Sequence, residues 1–141
     1  MGRRTGDTPK GSYPGRVKLT RVDVAVTVPG DITVVFAWTG DIENQASVLW
    51  SVFVHPSNGR APLQLGYKLV DGQFAAFFVF DYETTRTRQI NVPGAAVLTD
   101  GELMATFPVE AVGRDISSSW RWKAHLSVAG IDVDEREGAI N

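Results

Sequence analysis

From Arg16 to Val128 the chain is written in short segments that alternate apolar and polar residues with a period of two, separated by turns rich in glycine, proline, asparagine and aspartate. Successive side chains of a strand point to opposite faces, so each segment can bury one face and wet the other. Val22, Val24, Val26 and Val28 form one series, and Ile32, Val34, Phe36 and Trp38 form the next after Pro29-Gly30-Asp31. Val48, Trp50, Val52 and Val54 follow, then Leu63, Leu65, Tyr67 and Leu69. Segments recurring about every 8 to 12 residues, with no helix long enough for a parallel crossover, specify an antiparallel all-β fold. The apparent strands are unequal in length, which disfavours a closed barrel. The expected architecture is an antiparallel β-sandwich, immunoglobulin-like or jelly-roll-like, of eight or nine strands.

Local signals refine this outline. Val17 and Leu19 share one parity and Val22 to Val28 the other, so a β-bulge or a change of sheet is expected near Thr20 and Arg21. Asp71-Gly72 between two apolar runs reads as a two-residue hairpin loop of type I′. Gln73 to Asp81 is apolar on both parities and reads as a central strand covered on both faces. Thr85 to Val92 is more polar and suits an edge. A second short hairpin is expected at Asp100-Gly101, and a single helical turn between Pro108 and Gly113. Trp120 to Val128 is expected to be the last strand, ended by Gly130.

At 141 residues the chain has the length of one domain. Residues 1–15, rich in Gly, Pro, Arg and Lys, read as a flexible basic leader, 16–134 as the sandwich and 135–141 as an acidic C-terminal tail. There is no apolar run of about 18 residues, so no transmembrane segment is expected. The opening residues lack the apolar centre of a signal peptide, and the 0 cysteines remove disulfides and thiolate chemistry without fixing a compartment. The location is extracytoplasmic if an export signal has been removed and cytoplasmic otherwise. The basic start is offset by an acidic end within a net charge of −2 and has no interleaved aromatics, so nucleic acid is not an expected partner.

Catalytic chemistry has little to stand on. No G-x-S-x-G elbow and no phosphate loop are present, and there are 2 histidines, His55 and His125. Ser117, Ser118 and Ser119 read as a loop. Asp132, Asp134 and Glu135 are a candidate calcium cluster, because calcium favours grouped carboxylates, but the Gly and bidentate Glu that the usual loop carries at set positions are missing, so a solvated tail is the stronger reading. Asp41 and Glu43 are a similar pair in a loop. The candidate ligand-binding side chains are Trp50, Trp120, Trp122 and Tyr67, since flat amphipathic rings stack on sugars and peptides. All four tryptophans, Trp38 included, nevertheless fall in phase with their apolar series, which makes them core first.

The segments Val22-Asp23-Val24-Ala25-Val26-Thr27-Val28, Asp31-Ile32-Thr33-Val34-Val35-Phe36, Thr106-Phe107-Pro108-Val109-Glu110-Ala111-Val112-Gly113, Trp120-Arg121-Trp122 and Asp132-Val133-Asp134 resemble the opening and closing strands of DOMON-like and family-9-like carbohydrate-binding sandwich domains. The resemblance implies an extracytoplasmic module that binds sugar or haem in a groove. For haem it would ask for axial ligands of the Met and His type, and Met104 and His125 stand on outward parities. A lone Met and a lone His read from the residues alone are surface positions, so no cofactor is expected. The expected function is a non-catalytic binding or interaction module for a protein or carbohydrate ligand. The alternatives are a structural subunit that self-associates through an edge strand and the leader, and then a hydrolase.

Overall fold

A computed structural model describes residues 17–27, 30–42, 45–83, 88–93, 96–117 and 119–140. The expected basic leader, Val28, Glu43 and Ser118 lie outside them. Ten strands and one helical turn follow in order: β1 (Lys18–Thr27), β2 (Asp31–Thr39), β3 (Ser47–His55), β4 (Leu63–Val70), β5 (Gln73–Asp81), β6 (Arg88–Asn91), β7 (Ala96–Thr99), β8 (Glu102–Phe107), α1 (Val109–Val112), β9 (Arg121–Val128) and β10 (Ile131–Ala139). They form two antiparallel sheets, a four-stranded one in the order β1-β2-β8-β7 and a six-stranded one in the order β10-β9-β3-β4-β5-β6. The protein is an all-β sandwich.

The alternation read from the sequence supplies both inner faces. Val22, Val24, Ile32, Val34, Phe36, Trp38, Leu103, Ala105 and Phe107 from one sheet meet Val48, Trp50, Val52, Val54, Leu63, Leu65, Phe77, Val79, Trp122, Ala124 and Leu126 from the other in a single buried cluster. Full burial of an aliphatic or aromatic side chain contributes roughly 1.5–3 kcal/mol, so this stack is the main source of stability. The register of β1 against β2 shifts between Leu19 and Arg21, which is the bulge that the parity change implied, and β1 stays within one sheet throughout. Asp71 and Gly72 both have positive φ, 50° and 75°, as a type I′ hairpin requires. α1 stops at Gly113, whose φ of 68° is left-handed.

Two expectations change. The acidic segment after Gly130 is a strand rather than a tail from residue 135: β10 pairs along the whole of β9 from Ile131↔Val128 to Ala139↔Arg121. It also stitches the two sheets together, because Leu19 N donates to Asp134 Oδ2 (2.8 Å) and Arg136 donates to Leu19 O (2.9 Å). Two side chains thus serve the free edge of β1 where its bulge interrupts pairing with β2. Secondly, β5 lies next to the edge strand β6 and is covered on one face only. Its outward Phe78 and Phe80 are half-buried, lying on the sheet surface instead of under a second layer.

Candidate functional site

A cleft opens at one end of the sandwich, where connections from both sheets come together. Its walls are the end of β2 and the loop after it (Trp38, Gly40, Asp41, Ile42), the β4–β5 hairpin (Leu69, Gly72) and the β7–β8 hairpin (Leu98, Thr99, Asp100, Gly101). The cleft encloses about 690 Å³, within the ~300–1,000 Å³ usual for small-molecule sites. The hairpin positions follow from pairing. β8 runs antiparallel to β2 from Ala37↔Glu102 to Ile32↔Phe107, and Trp38 N donates to Gly101 O (3.1 Å), so the β7–β8 turn sits beside the Trp38 end of β2.

The apolar floor is tied into an aromatic chain. Trp38 packs against Trp50 with ring centroids 5.1 Å apart, Trp50 against Tyr67 at 6.0 Å, and Tyr67 against both Phe74 and Phe77 at 5.6 Å. A register shift between Lys68 and Leu69 leaves Ala75 unpaired and sets Phe74 opposite Leu69, on the cleft side of β5. Phe74 is 62% exposed there, the most exposed large apolar side chain among the described residues. The polar part of the lining is Asp41, Thr99 and Asp100, and none of the described lining residues is Lys, Arg or His. Thr99 Oγ1 donates its hydrogen to Glu102 O (3.3 Å), which leaves the hydroxyl only lone pairs to offer.

The candidates named from the sequence sit elsewhere. Trp50 is 0% exposed, and Trp120 and Trp122 are buried, so none of the three offers a ring face to a ligand. Tyr67 is half-buried behind Phe74, and burial pushes its phenol up from the ordinary value. The candidate calcium carboxylates are used inside the protein. Asp134 accepts from Leu19 N and Glu135 N, Asp132 accepts from Ser127, and Glu135 pairs with Lys123 at 3.1 Å. Among the described residues no three His, Asp or Glu side chains are grouped as a metal would need. Met104 and His125 stand on the outer faces of different sheets rather than on neighbouring strands, too far apart in the fold to share one iron.

The outer face of the six-stranded sheet gathers Phe53, His55, Gln64, Phe78, Phe80, Tyr82 and His125. Phe53 meets His55, Tyr82 and His125 at centroid distances of 6.4, 6.2 and 5.9 Å. Ser51 lies opposite His125 in the register, and His125 Nδ1 is 3.6 Å from Asp132 Oδ2, so the residue types of an acyl-transfer triad fall in a row. They do not form one. Ser51 is 2% exposed and its hydroxyl accepts from Gln64 Nε2 (3.0 Å), whose carbonyl in turn accepts from Tyr82 OH (3.2 Å). His125 Nδ1 is buried without a hydrogen bond.

Sequence reasoning missed Leu69, Leu98 and Asp100 as cleft residues; Trp38, placed in the core from its phase, is buried there and also lines the cleft floor. No sequence signal grouped them: Gly40-Asp41, Asp71-Gly72 and Asp100-Gly101 are turn dipeptides on three connections, but alternation of strand direction would put the third at the opposite end, and it joins the first two because β6 and β7 run in the same direction. Comparison with family models, with curated proteins and with solved structures finds no match to this chain.

Proposed function

We propose that the chain is a non-catalytic binding module whose ligand sits in the cleft between the β2–β3 loop and the β4–β5 and β7–β8 hairpins. The observation that carries this reading is the cleft itself: about 690 Å³ with an apolar floor of Trp38, Ile42, Leu69 and Leu98 under a polar rim. Such a site on rigid hairpins is the usual form of a ligand pocket. The engaged Ser51 hydroxyl and the internally paired carboxylates support binding over catalysis. A fragment screen followed by amide chemical shifts tests it. Hits are expected to move Trp38, Leu69, Gly72, Leu98 and Gly101 together, and Leu98→Trp, which fills the cleft from an edge position, is expected to abolish them. Hits confined to the outer aromatic face would sink the reading.

A second reading has its own observation. Val97, on the edge strand β7, is 55% exposed and lies opposite the exposed Met104, and β7 carries no charge. Uncharged apolar edges invite strand addition, which favours a subunit that self-associates through β7. Sedimentation at high concentration that finds only monomer would count against it.

A further inference from the structure

We infer that the cleft takes the chain's own N-terminal segment, with the Tyr13 ring on its apolar floor, so that a ligand of the site proposed above must displace it. The second half of this statement rests on that reading; the first needs only the cleft and the place where the chain reaches it. Residues 1–16 lie outside the described structure, but their point of attachment is fixed. β1 begins with Lys18 opposite Thr39, so one further step of the same register sets Val17 beside Gly40, which lines the cleft. Val17 is 1% exposed and belongs to the core, so the chain is anchored at that point. The segment therefore leaves the sandwich at the mouth of the cleft.

What the segment carries suits what the cleft offers. Tyr13 is the one aromatic residue in 1–16, and it opens Tyr13-Pro14-Gly15-Arg16, which has the Pro and the Gly of a type II turn at their set positions. Such a turn brings its first and fourth Cα atoms within about 7 Å, so the sequence directs Tyr13 back toward Val17 and the cleft. The floor there, Trp38, Ile42, Leu69 and Leu98, is hydrocarbon and indole, with Leu98 38% exposed and Phe74, on the cleft side of β5, 62% exposed. Apolar surface of that kind gains by burial under a flat ring. A tyrosine suits the cleft better than a wholly apolar side chain. Its hydroxyl reaches the polar rim, where Thr99, having given its own hydrogen to Glu102 O, presents lone pairs. Charge acts in the same direction: Arg3, Arg4, Lys10 and Arg16 outnumber Asp7 in the segment, and the two hairpin turns beside the cleft expose Asp71 and Asp100.

Nuclear Overhauser contacts and amide shifts on the full chain test the inference, with Tyr13→Ser and Tyr13→Phe as the variants, both at a position outside the strands of the core. In the parent the Tyr13 ring is expected to show contacts to the methyls of Leu69 and Leu98. Tyr13→Ser is expected to shift the amides of Trp38, Leu69, Gly72, Leu98 and Gly101, and Tyr13→Phe to shift them much less. A segment that fills the cleft about two-thirds of the time weakens a competing ligand about 3-fold, so 4-phenylbutanol is expected to bind about 3-fold more tightly to Tyr13→Ser than to the parent. Absence of the ring contacts, with shifts confined to the residues next to position 13, would overturn the inference; 4-phenylbutanol moving the cleft amides equally in both proteins would then leave the cleft as a ligand site. Ring contacts present, with 4-phenylbutanol moving no cleft amide in Tyr13→Ser, would keep the segment in the cleft and remove the ligand reading instead. Shifts that grow with protein concentration would assign the ring to a second copy of the chain and overturn the intramolecular contact.

Discussion

The Asp81 carboxylate is the clearest case of a single residue on which the described structure depends. Its side chain is 8% exposed and faces Arg114, itself 7% exposed, with Arg114 NH2 to Asp81 Oδ1 at 2.6 Å. Arg114 also donates to the carbonyls of Ala61 (2.7 Å) and Pro62 (3.4 Å) and lies 5.9 Å over the Trp120 ring. The pair therefore fastens the loop after α1 to the β3–β4 connection and to β5. Burial alone would raise the Asp81 pKa, but the Arg114 hydrogen bond, the Glu83 N–H, and the charges of Arg114 and Arg88 outweigh it and hold the carboxyl below its ordinary value. A carboxyl depressed in the folded state stabilises the fold above its unfolded pKa, and that stabilisation is lost as pH falls through the folded value. Asp81→Asn leaves the buried Arg114 guanidinium with the longer Glu83 contact (3.7 Å) as its counter-charge and is expected to cost about 3 kcal/mol at pH 7. The gap between variant and parent in urea midpoints should narrow below about pH 4, where the carboxyl of the unfolded parent begins to take up the proton; a gap that stays constant from pH 7 to pH 3 would contradict this account. None of it was legible in the sequence, because Asp81 and Arg114 lie 33 positions apart and neither stands in a motif. Gly66 is similar. An added Cβ would strike the Phe78 ring that lies across it, so Gly66→Ala is expected to lower stability by about 1–3 kcal/mol, measured by thermal or chemical unfolding.

At the scale of the element, the long strands read from the sequence are those with a buried face, and the long strand missed, β10, has no buried residue. β10 is Ile131-Asp-Val-Asp-Glu-Arg-Glu-Gly-Ala139, mostly exposed, and its pairing with β9 is what makes it a strand. Its turn was hidden as well. Ala129 occupies the first turn position with φ of 52° and Gly130 the second with φ of 80°, so a hairpin that ordinarily calls for Asn-Gly is made with alanine. A Cβ-bearing residue other than Asn or Asp in the left-handed region is strained by roughly 1–2 kcal/mol. Ala129→Asn is therefore expected to raise stability by about 0.5–1 kcal/mol, seen as a higher denaturation midpoint at unchanged slope, and an unchanged or lower midpoint would mean that this turn is not strained. The contact that β10 makes across the corner is open to a separate measurement. Asp134→Ala removes the acceptor for Leu19 N, and faster hydrogen exchange at that amide, without general loss of protection in β9, is the expected result.

The whole molecule is a six-stranded sheet packed on a four-stranded one, and the cleft lies among the connections at one end of the two sheets. The sequence specified the layers, the turns and the buried tryptophans through local alternation. It could not specify which strands pair, since β2 finds β8 across 73 positions at Thr33 and Thr106, and the corner bond from Leu19 to Asp134 spans 115. The position of the cleft is a consequence of those distant pairings, so it was illegible for the same reason. The same topology constrains how the chain folds. Only the β1–β2, β3–β4, β4–β5, β5–β6, β7–β8 and β9–β10 pairs are neighbours in sequence, and each sheet is completed by a distant strand: β8 joins β2, and β9 joins β3. Closing such loops costs entropy before the inner faces can meet, and sandwiches dominated by distant pairing fold in about milliseconds to seconds. Stopped-flow dilution from urea, read by the fluorescence of the buried Trp50, is expected to show its main refolding phase in that range. A full-amplitude phase completed in microseconds would mean that the distant β2–β8 and β3–β9 pairings do not limit the formation of the core.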